Sequence, residues 1–122
     1  MNPTLSAQNP YVQNSVLTAP PERLVLMLYD GAIKFLGQAA IAMREGSVGQ
    51  ANQRLRRAEA IIDELHATLN PDAGEISERL AAIYVFCRRH LVEAQLEQDA
   101  SKVDAVARLI GELRGSWAQI CT

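Results

Sequence analysis

The longest apolar stretch of the chain is LVLMLYDGAIKFL, residues 24–36, in which only Asp30 and Lys34 are charged. At about 100° per residue, the polar side chains fall on one narrow stripe and the rest of the helical surface is apolar. A helix in a small bundle needs an apolar face only somewhat wider than about 100°. The pattern therefore predicts a helix with more apolar surface than one core covers, and a partner or another segment should cover the excess.

The first helix is predicted to begin at Pro20 and Pro21 and to end at about Glu45. Proline suits the first turn of a helix, where the backbone amides have no partners inside the helix, and Thr18 precedes it as a start signal. Gly46 is the residue type that commonly follows the last helical residue. The whole apolar stretch therefore lies inside one long helix.

Apolar residues that recur every three or four positions predict three further helices. The core stripe of the second, at about residues 48–69, is Ala51, Leu55, Ala58, Ile62, Leu65 and Leu69, with Ile61 beside it. The core stripe of the third is Ile76, Leu80, Ile83, Cys87, Leu91 and Ala94. The core stripe of the fourth is Val103, Val106, Ile110, Leu113 and Trp117. N-terminal caps are predicted at Ser47 with Gln50 for the second helix, at Asp72 with Glu75 for the third, and at Asp99 or Ser101 for the fourth. Since short loops join antiparallel neighbours, the fold class is all-α, an antiparallel up-down four-helix bundle over residues 20–122.

Residues 1–19 are rich in Asn, Gln, Ser, Thr and Pro and show no sustained helical period, so we expect a mobile N-terminal arm. Its larger apolar side chains recur about one helical turn apart. They are Tyr11, Val12, Val16 and Leu17. Such a segment could lie on an apolar surface of the bundle.

Composition excludes several function classes. The 122 residues suffice for one globular domain, and a net charge of −2 gives little attraction for a polyanion, which argues against a nucleic acid partner. The chain has two histidines, no Glu-x-x-His motif and two widely separated cysteines, so no metal, cofactor or catalytic set is expected. Without a signal peptide pattern or an uninterrupted spanning segment, we expect a cytoplasmic protein with no stable membrane insertion.

Tyr29 and Tyr84 each lie in an unusually apolar part of a helix, and the stretch LAAIYVFC around Tyr84 carries no charge. Aromatic rings in helices most often belong to the core. The alternative is that they line a groove for a partner. Gly31 inside the first helix similarly suggests the close approach of another backbone or is simply a tolerated glycine.

The stretch NPYVQNSVLTAPPERLVLMLYDGAIKFLGQA closely resembles the opening of the FliS family of flagellar export chaperones. AEAIIDELHATLNPDAGEISERLAAIYVFCRRHLVEA is similar to the second and third helices of that family, and VARLIGELRGSWAQI is similar to the fourth. The chain departs from the usual family pattern at Ala19-Pro20-Pro21 and in the loop at residues 70–74. The resemblance implies a bundle that binds the disordered C-terminal segment of flagellin and delivers it to the export gate protein FlhA. It also implies that the arm covers part of the groove in some members.

We therefore expect a non-enzymatic export chaperone that captures flagellin in the cytoplasm and prevents premature polymerisation. The candidate partner-binding residues, taken from the arm and from the two apolar helices, are Tyr11, Val12, Val16, Leu17, Leu26, Tyr29, Ile33, Tyr84 and Val85. The alternative is a structural protein whose excess apolar surface is covered by a second copy of itself, as a homodimer.

Overall fold

The computed structural model describes residues 21–120. Within this range the chain forms four helices, α1 (Pro21–Arg44), α2 (Val48–Ala67), α3 (Glu75–Glu97) and α4 (Ala100–Ile120), with a 3₁₀ turn at Pro71–Ala73 and no strand. The predicted all-α four-helix fold is therefore confirmed. The predicted arm, residues 1–19, lies outside the described range, and so do its four candidate binding residues.

Side-chain contacts between distant parts of the sequence show that neighbouring helices run antiparallel. Arg44 at the end of α1 pairs with Asp104 near the start of α4, and Asp30 in α1 accepts a 2.8 Å hydrogen bond from Arg114 further along α4. Helix α1 packs most extensively against α2 and α4, whereas α3 packs more sparsely on the same two helices. Helices α1 and α3 therefore face each other across the diagonal of the bundle.

Small side chains let α1 approach its neighbours closely. The fully buried residues of α1 and α2 include the alanines Ala32, Ala39, Ala51 and Ala58. The larger core side chains fill the space between these contacts; they include Leu36, Leu55, Ile62, Leu65, Leu91, Val103, Val106 and Ile110. By length and composition alone α1 could also cross a membrane, but its buried face belongs to this core.

Two of the predicted helix ends are confirmed and two predicted caps are wrong. Gly46 follows α1 with a φ of +78°, a conformation that glycine adopts without steric cost, and the Asp99 carboxylate accepts a 3.0 Å hydrogen bond from the Ser101 amide at the start of α4. Ser47 precedes α2 but makes no side-chain cap bond, so the capping box is wrong. At α3 the cap is Gly74, not Asp72 with Glu75.

The loop before α3 also changes which residues of that helix face inward. The Asn70 side chain caps the 3₁₀ turn, and Gly74 then takes a φ of +70°, which redirects the chain into α3. Ser77 is buried as a result, and its hydroxyl donates a 2.5 Å hydrogen bond to the carbonyl oxygen of Asn70. Ile76, predicted as core, is instead 61% exposed, and Tyr84 takes a core position.

Candidate binding surfaces

An apolar cleft of about 230 Å³ opens at the end of the bundle where α1 begins and α4 ends. We call it the end cleft and define it by Val25, Leu69, Ile76, Leu80 and Trp117, one or two residues from each side of the bundle. Its lining is predominantly apolar, and the ring edges of two tyrosines form its floor. A cleft of this size accommodates one large apolar side chain from a partner.

The floor of the end cleft is a buried pair of phenols. The hydroxyl oxygens of Tyr29 and Tyr84 lie 2.7 Å apart in a hydrogen bond, and the two residues are only 2% and 1% exposed. Burial raises the pKa of both hydroxyls above their ordinary value, because the charged phenolate is poorly solvated there. Both tyrosines are therefore core residues that form the floor of the cleft. They do not present a broad surface to a partner.

Trp117 lies at the mouth of the end cleft and fixes the start of α1. Its indole Nε1 donates a 2.9 Å hydrogen bond to the carbonyl oxygen of Glu22. The sequence predicted a core position for Trp117, and the structure shows a partly buried ring that packs against the core and lines the cleft. The chain segment before residue 21 therefore joins the bundle directly beside this apolar surface.

A second apolar surface runs along the side of α3 that faces away from the core. We call it the α3 outer stripe; its apolar members are exposed and fall on one face of the helix, and they are Ala82, Val85, Phe86, Val92 and Leu96. The exposed charged residues Arg89 and Glu93 lie on the same face between them. Leu96 is 81% exposed, and the Phe86 ring stacks on the His90 imidazole with centroids 5.2 Å apart. The stripe is long enough for about four helical turns of a partner helix.

The structure separates the predicted site residues into different places. Val85 belongs to the α3 outer stripe, whereas Leu26 and Ile33 are partly buried on α1, with Ile33 packed against the core. Part of the predicted apolar surface of α1 packs in the core, whereas Leu24, Leu26 and Met27 are only partly buried and Ile41 is 59% exposed. Sequence reasoning recognised the excess around Tyr84 but missed Val92 and Leu96, although their spacing of seven and eleven residues from Val85 places them on one helical face.

Charged side chains in the described part of the chain form ion pairs at the surface of the bundle. Arg88 on α3 bridges Asp63 at 2.7 Å and Glu59 at 3.0 Å, both on α2. Among residues 21–120, no group of three or more histidine, cysteine, aspartate or glutamate side chains could hold a metal ion. Cys87 is fully buried, and burial raises its pKa to about 11, so its thiol is not an activated nucleophile.

A helical bundle that offers apolar surfaces of these shapes belongs to the class of protein-binding bundles. Comparison with known proteins identifies the family. The family model described as flagellar protein FliS matches residues 4–122, and the chain therefore belongs to the FliS family.

Curated relatives span nearly the whole chain. The flagellar secretion chaperone FliS of Bacillus subtilis (strain 168) is 38% identical over 118 residues, which cover 94% of this chain and 88% of that protein. The protein of the same name from Salmonella typhimurium is 34% identical and covers 89% and 82% of the two chains. A crystal structure of a flagellar chaperone from bacteria superimposes with a TM-score of 0.78 at 19% identity, covering 98% of both chains, and this likeness shows the fold.

Proposed function

We propose that this protein is a flagellar secretion chaperone that binds the disordered C-terminal segment of flagellin in the bacterial cytoplasm. Bound flagellin would be kept from premature polymerisation and handed to the export gate protein FlhA. The family relationship supports the chaperone role. The observation that carries the binding proposal is the open, apolar end cleft, since an accessible apolar surface of this kind suits a partner that arrives and leaves.

Binding would combine an anchor with a helix. One large apolar side chain of flagellin enters the end cleft beside Trp117, and an amphipathic helix of the same segment lies on an exposed apolar face such as the α3 outer stripe. A disordered partner loses conformational entropy when it binds, so a broad interface can still release its cargo at the export gate. Binding and release of this kind need no catalytic residue, and the chaperone acts without an enzymatic step.

The N-terminal arm is proposed to occupy the end cleft when flagellin is not bound. Helix α1 begins at Pro21, close to the bond between Trp117 and Glu22 at the cleft, so a segment that precedes the helix would be within reach. The four apolar side chains of the arm would then act as a replaceable ligand, and they are Tyr11, Val12, Val16 and Leu17. Deleting residues 1–17 should strengthen flagellin binding or leave it unchanged. Clear weakening in a folded variant would instead make the arm part of the flagellin site.

The test is titration of the full chain with a peptide of about forty residues from the C-terminus of flagellin, a length suited to coupled folding and binding. Calorimetry should show near-equimolar binding with a strongly negative heat-capacity change. The emission of Trp117, the one tryptophan of the chain, should shift as the cleft fills. Absence of both signals, from protein shown to be folded, would contradict the proposal.

A matched pair of variants locates the site. Ile76 lines the cleft and Val48 lies on α2 outside the surfaces described above, and both side chains are already exposed, so an aspartate at either position should not prevent folding. Ile76→Asp should weaken peptide binding by about tenfold, because a charge would be desolvated against the bound segment. Val48→Asp should bind as the parent protein does. Equal affinities for both variants would exclude the end cleft as the anchor site.

The homodimer remains the second candidate, and the α3 outer stripe is the observation that favours it, because a second copy could cover this stripe around a two-fold axis. Sedimentation at micromolar concentration separates the two candidates. A tight dimer that persists when the flagellin peptide is added, and that Leu96→Asp converts to monomer, would favour the dimer.

A further inference from the structure

Ion pairing divides the basic residues of this protein into two groups. Arg44, Arg88 and Arg114 each pair with a carboxylate, as do Arg79 and Lys102. Between α1 and α2, by contrast, three basic side chains form no ion pair with any residue in the described range, and they are Lys34, Arg54 and Arg57. Four further arginines, Arg23, Arg56, Arg89 and Arg108, also form no ion pair with a described residue, so what distinguishes these three cations is that they lie together where the two helices meet.

A single aromatic ring holds two of these cations close together. The Lys34 ammonium nitrogen lies 5.6 Å from the centroid of the Phe35 ring, and the Arg57 guanidinium carbon lies 5.8 Å from the same centroid. Each cation is attracted to the electron-rich face of the ring. Arg54 lies one turn before Arg57 on the same side of α2. The resulting concentration of like charge would be relieved by an anionic partner.

The same place offers apolar and polar contacts that suit a protein partner. Ile41, two turns after Lys34, is 59% exposed, and together with Gln38 and Arg54 it lines a cleft of about 210 Å³. The side-chain oxygen of Gln38 is buried, and no described residue donates a hydrogen bond to it. Glu45 also lines this cleft and balances the charge of Arg54, so the excess positive charge of the surface lies at Lys34 and Arg57.

We propose that this surface, the α1–α2 seam defined by Lys34, Phe35, Ile41, Arg54 and Arg57, is a second docking surface that binds an acidic amphipathic helix of another protein. Carboxylates one turn apart on that helix would face the cations, and an apolar side chain between them would pack on Ile41. From Lys34 to Ile41 the seam extends about 10 Å, the length of two helical turns.

The rest of this chain does not supply such a partner. Residues 1–20 and 121–122 contain no aspartate or glutamate. The exposed Ile41 side chain favours a folded amphipathic helix over a nucleic acid or a lipid headgroup, both of which would contact mainly the cations. The seam shares no residue with the end cleft or with the α3 outer stripe, so the proposal concerns a partner other than the flagellin segment.

The probe is a helical peptide of about sixteen residues with glutamates at i and i+4 and leucines on the adjoining face, compared with a peptide that carries glutamine instead. Binding to the full chain is measured by fluorescence anisotropy at about 50 mM salt, where screening is weak. We expect the glutamate peptide to bind about tenfold more tightly than the glutamine peptide, and the difference to shrink at about 300 mM salt.

The charge-reversed double variant Arg54→Glu/Arg57→Glu should lose this preference. Arg108→Glu is the matched control, since Arg108 is an exposed arginine of α4 that forms no ion pair with a described residue, and it should bind as the parent protein does. If circular dichroism shows that the double variant is unfolded, Ile41→Asp tests the same surface at an already exposed position. That variant should weaken binding of the glutamate peptide by at least about fivefold.

Three results would overturn the proposal. The first is equal binding of the glutamate and glutamine peptides, or equal binding by the double variant and the Arg108→Glu control. The second is preferential binding to phosphatidylglycerol vesicles or to single-stranded DNA, which would assign the seam to a membrane or to a nucleic acid. The third is a parallel loss of affinity for the flagellin peptide in the double variant, which would make the seam part of the flagellin site. Unchanged flagellin binding in that variant supports a separate surface.

Discussion

The hydroxyl oxygens of Tyr29 on α1 and Tyr84 on α3 lie 2.7 Å apart, and their hydrogen bond joins the two helices that face each other across the diagonal of the bundle. Helix α3 packs more sparsely than the other helices, so this bond is a specific polar link between it and α1. Because both hydroxyls are buried, each depends on the other as its hydrogen-bond partner. The pair fixes the floor of the end cleft as well as the core.

Removing one hydroxyl should cost more stability than removing both. Tyr84→Phe leaves the Tyr29 hydroxyl buried without its partner and should lower the free energy of unfolding by about 1–3 kcal/mol, whereas the double variant with Tyr29→Phe should lie within about 1 kcal/mol of the parent protein. Urea unfolding followed by Trp117 fluorescence measures both. Additive losses in the double variant would show that the two hydroxyls are not coupled.

Stability should fall at alkaline pH. Burial, reinforced by the hydrogen bond that Tyr84 shares with Tyr29, raises the pKa of Tyr84 above its ordinary 10.0, and burial raises the pKa of Tyr29 in spite of the opposing effect of the same bond. The unfolded chain therefore loses these protons at lower pH than the folded chain does. The contribution of the two protonated tyrosines to the free energy of unfolding is fully present below about pH 10. Above this pH it is lost by up to about 1.4 kcal/mol per pH unit for each tyrosine.

The check on this assignment is the variant that lacks both phenols. Urea midpoints of the Tyr29→Phe/Tyr84→Phe protein should decline less steeply above about pH 10 than those of the parent protein. Burial raises the pKa of Cys87 from 9.0 to about 11, so this thiol contributes a loss of stability that begins at lower pH than that of the tyrosines, and it does so in both proteins. Identical slopes would mean that other groups cause the alkaline loss.

Most of the fold follows from periodicity that is visible in the sequence. On α2, the predicted stripe residues Ala51, Leu55, Ala58, Ile62 and Leu65 are all buried, because a helix in a bundle buries one face and that face repeats every three or four residues. The ends at Gly46 and Asp99 were equally predictable, since a positive φ and an unpaired helix amide each favour a particular residue type.

The surfaces were harder to predict because they depend on where other helices lie. Ile76 lines the end cleft instead of the predicted core, although Cys87, Leu91 and Ala94 further along α3 are buried as predicted. Part of the predicted apolar excess of α1 stays accessible, at Leu26 and Ile41, and the largest exposure is that of Leu96 on α3. Lys34 and Arg57 lie on different helices, and only the assembled α1–α2 pair brings them to one ring.

The thiol of Cys87 should be unreactive in the folded protein. It is fully buried and its pKa is raised to about 11, so neither access nor ionisation favours attack on a disulfide reagent near neutral pH. A Cys121→Ser variant leaves Cys87 as the one thiol, and we expect it to react with Ellman's reagent only as fast as the protein opens, then fully in denaturant. Rapid reaction of the native protein, comparable to that of a free thiol, would contradict the buried position.

Gln98 ends α3 in the left-handed region, with a φ of +51°, which is unfavourable for a residue with a side chain. Its amide nitrogen partly offsets this cost by donating to the Gln95 carbonyl oxygen at 2.9 Å and to the Asn52 side chain at 3.3 Å. Gln98→Gly and Gln98→Ala both remove these bonds, so the difference in stability between the two variants reports the cost of the left-handed backbone conformation. We expect the glycine variant to be more stable than the alanine variant by about 1 kcal/mol in urea unfolding, and equal stabilities would show that the turn relaxes.

Gly31 and Gly37 lie in the same helix but should respond differently to alanine. A Cβ atom on Gly31 would lie 3.1 Å from Cδ1 of Ile61, so a side chain, and not another backbone, approaches this glycine; a Cβ on Gly37 would meet nothing within 4 Å. Gly37→Ala should therefore raise the free energy of unfolding by about 1 kcal/mol, the difference in helix propensity, whereas Gly31→Ala should gain less because Ile61 must shift.

The source of that difference can be tested by removing the crowding atom. In an Ile61→Val background, which lacks Cδ1, Gly31→Ala should recover most of the gain that Gly37→Ala shows, and Gly37→Ala itself should be unaffected. Urea unfolding is measured for six proteins, the parent and Ile61→Val each alone, with Gly31→Ala and with Gly37→Ala, which form two double-mutant cycles. Gly31→Ala could still gain less stability than Gly37→Ala in the Ile61→Val background. In that case the contact with Ile61 is not what reduces the gain at residue 31, and a different neighbour of α1 must reduce it.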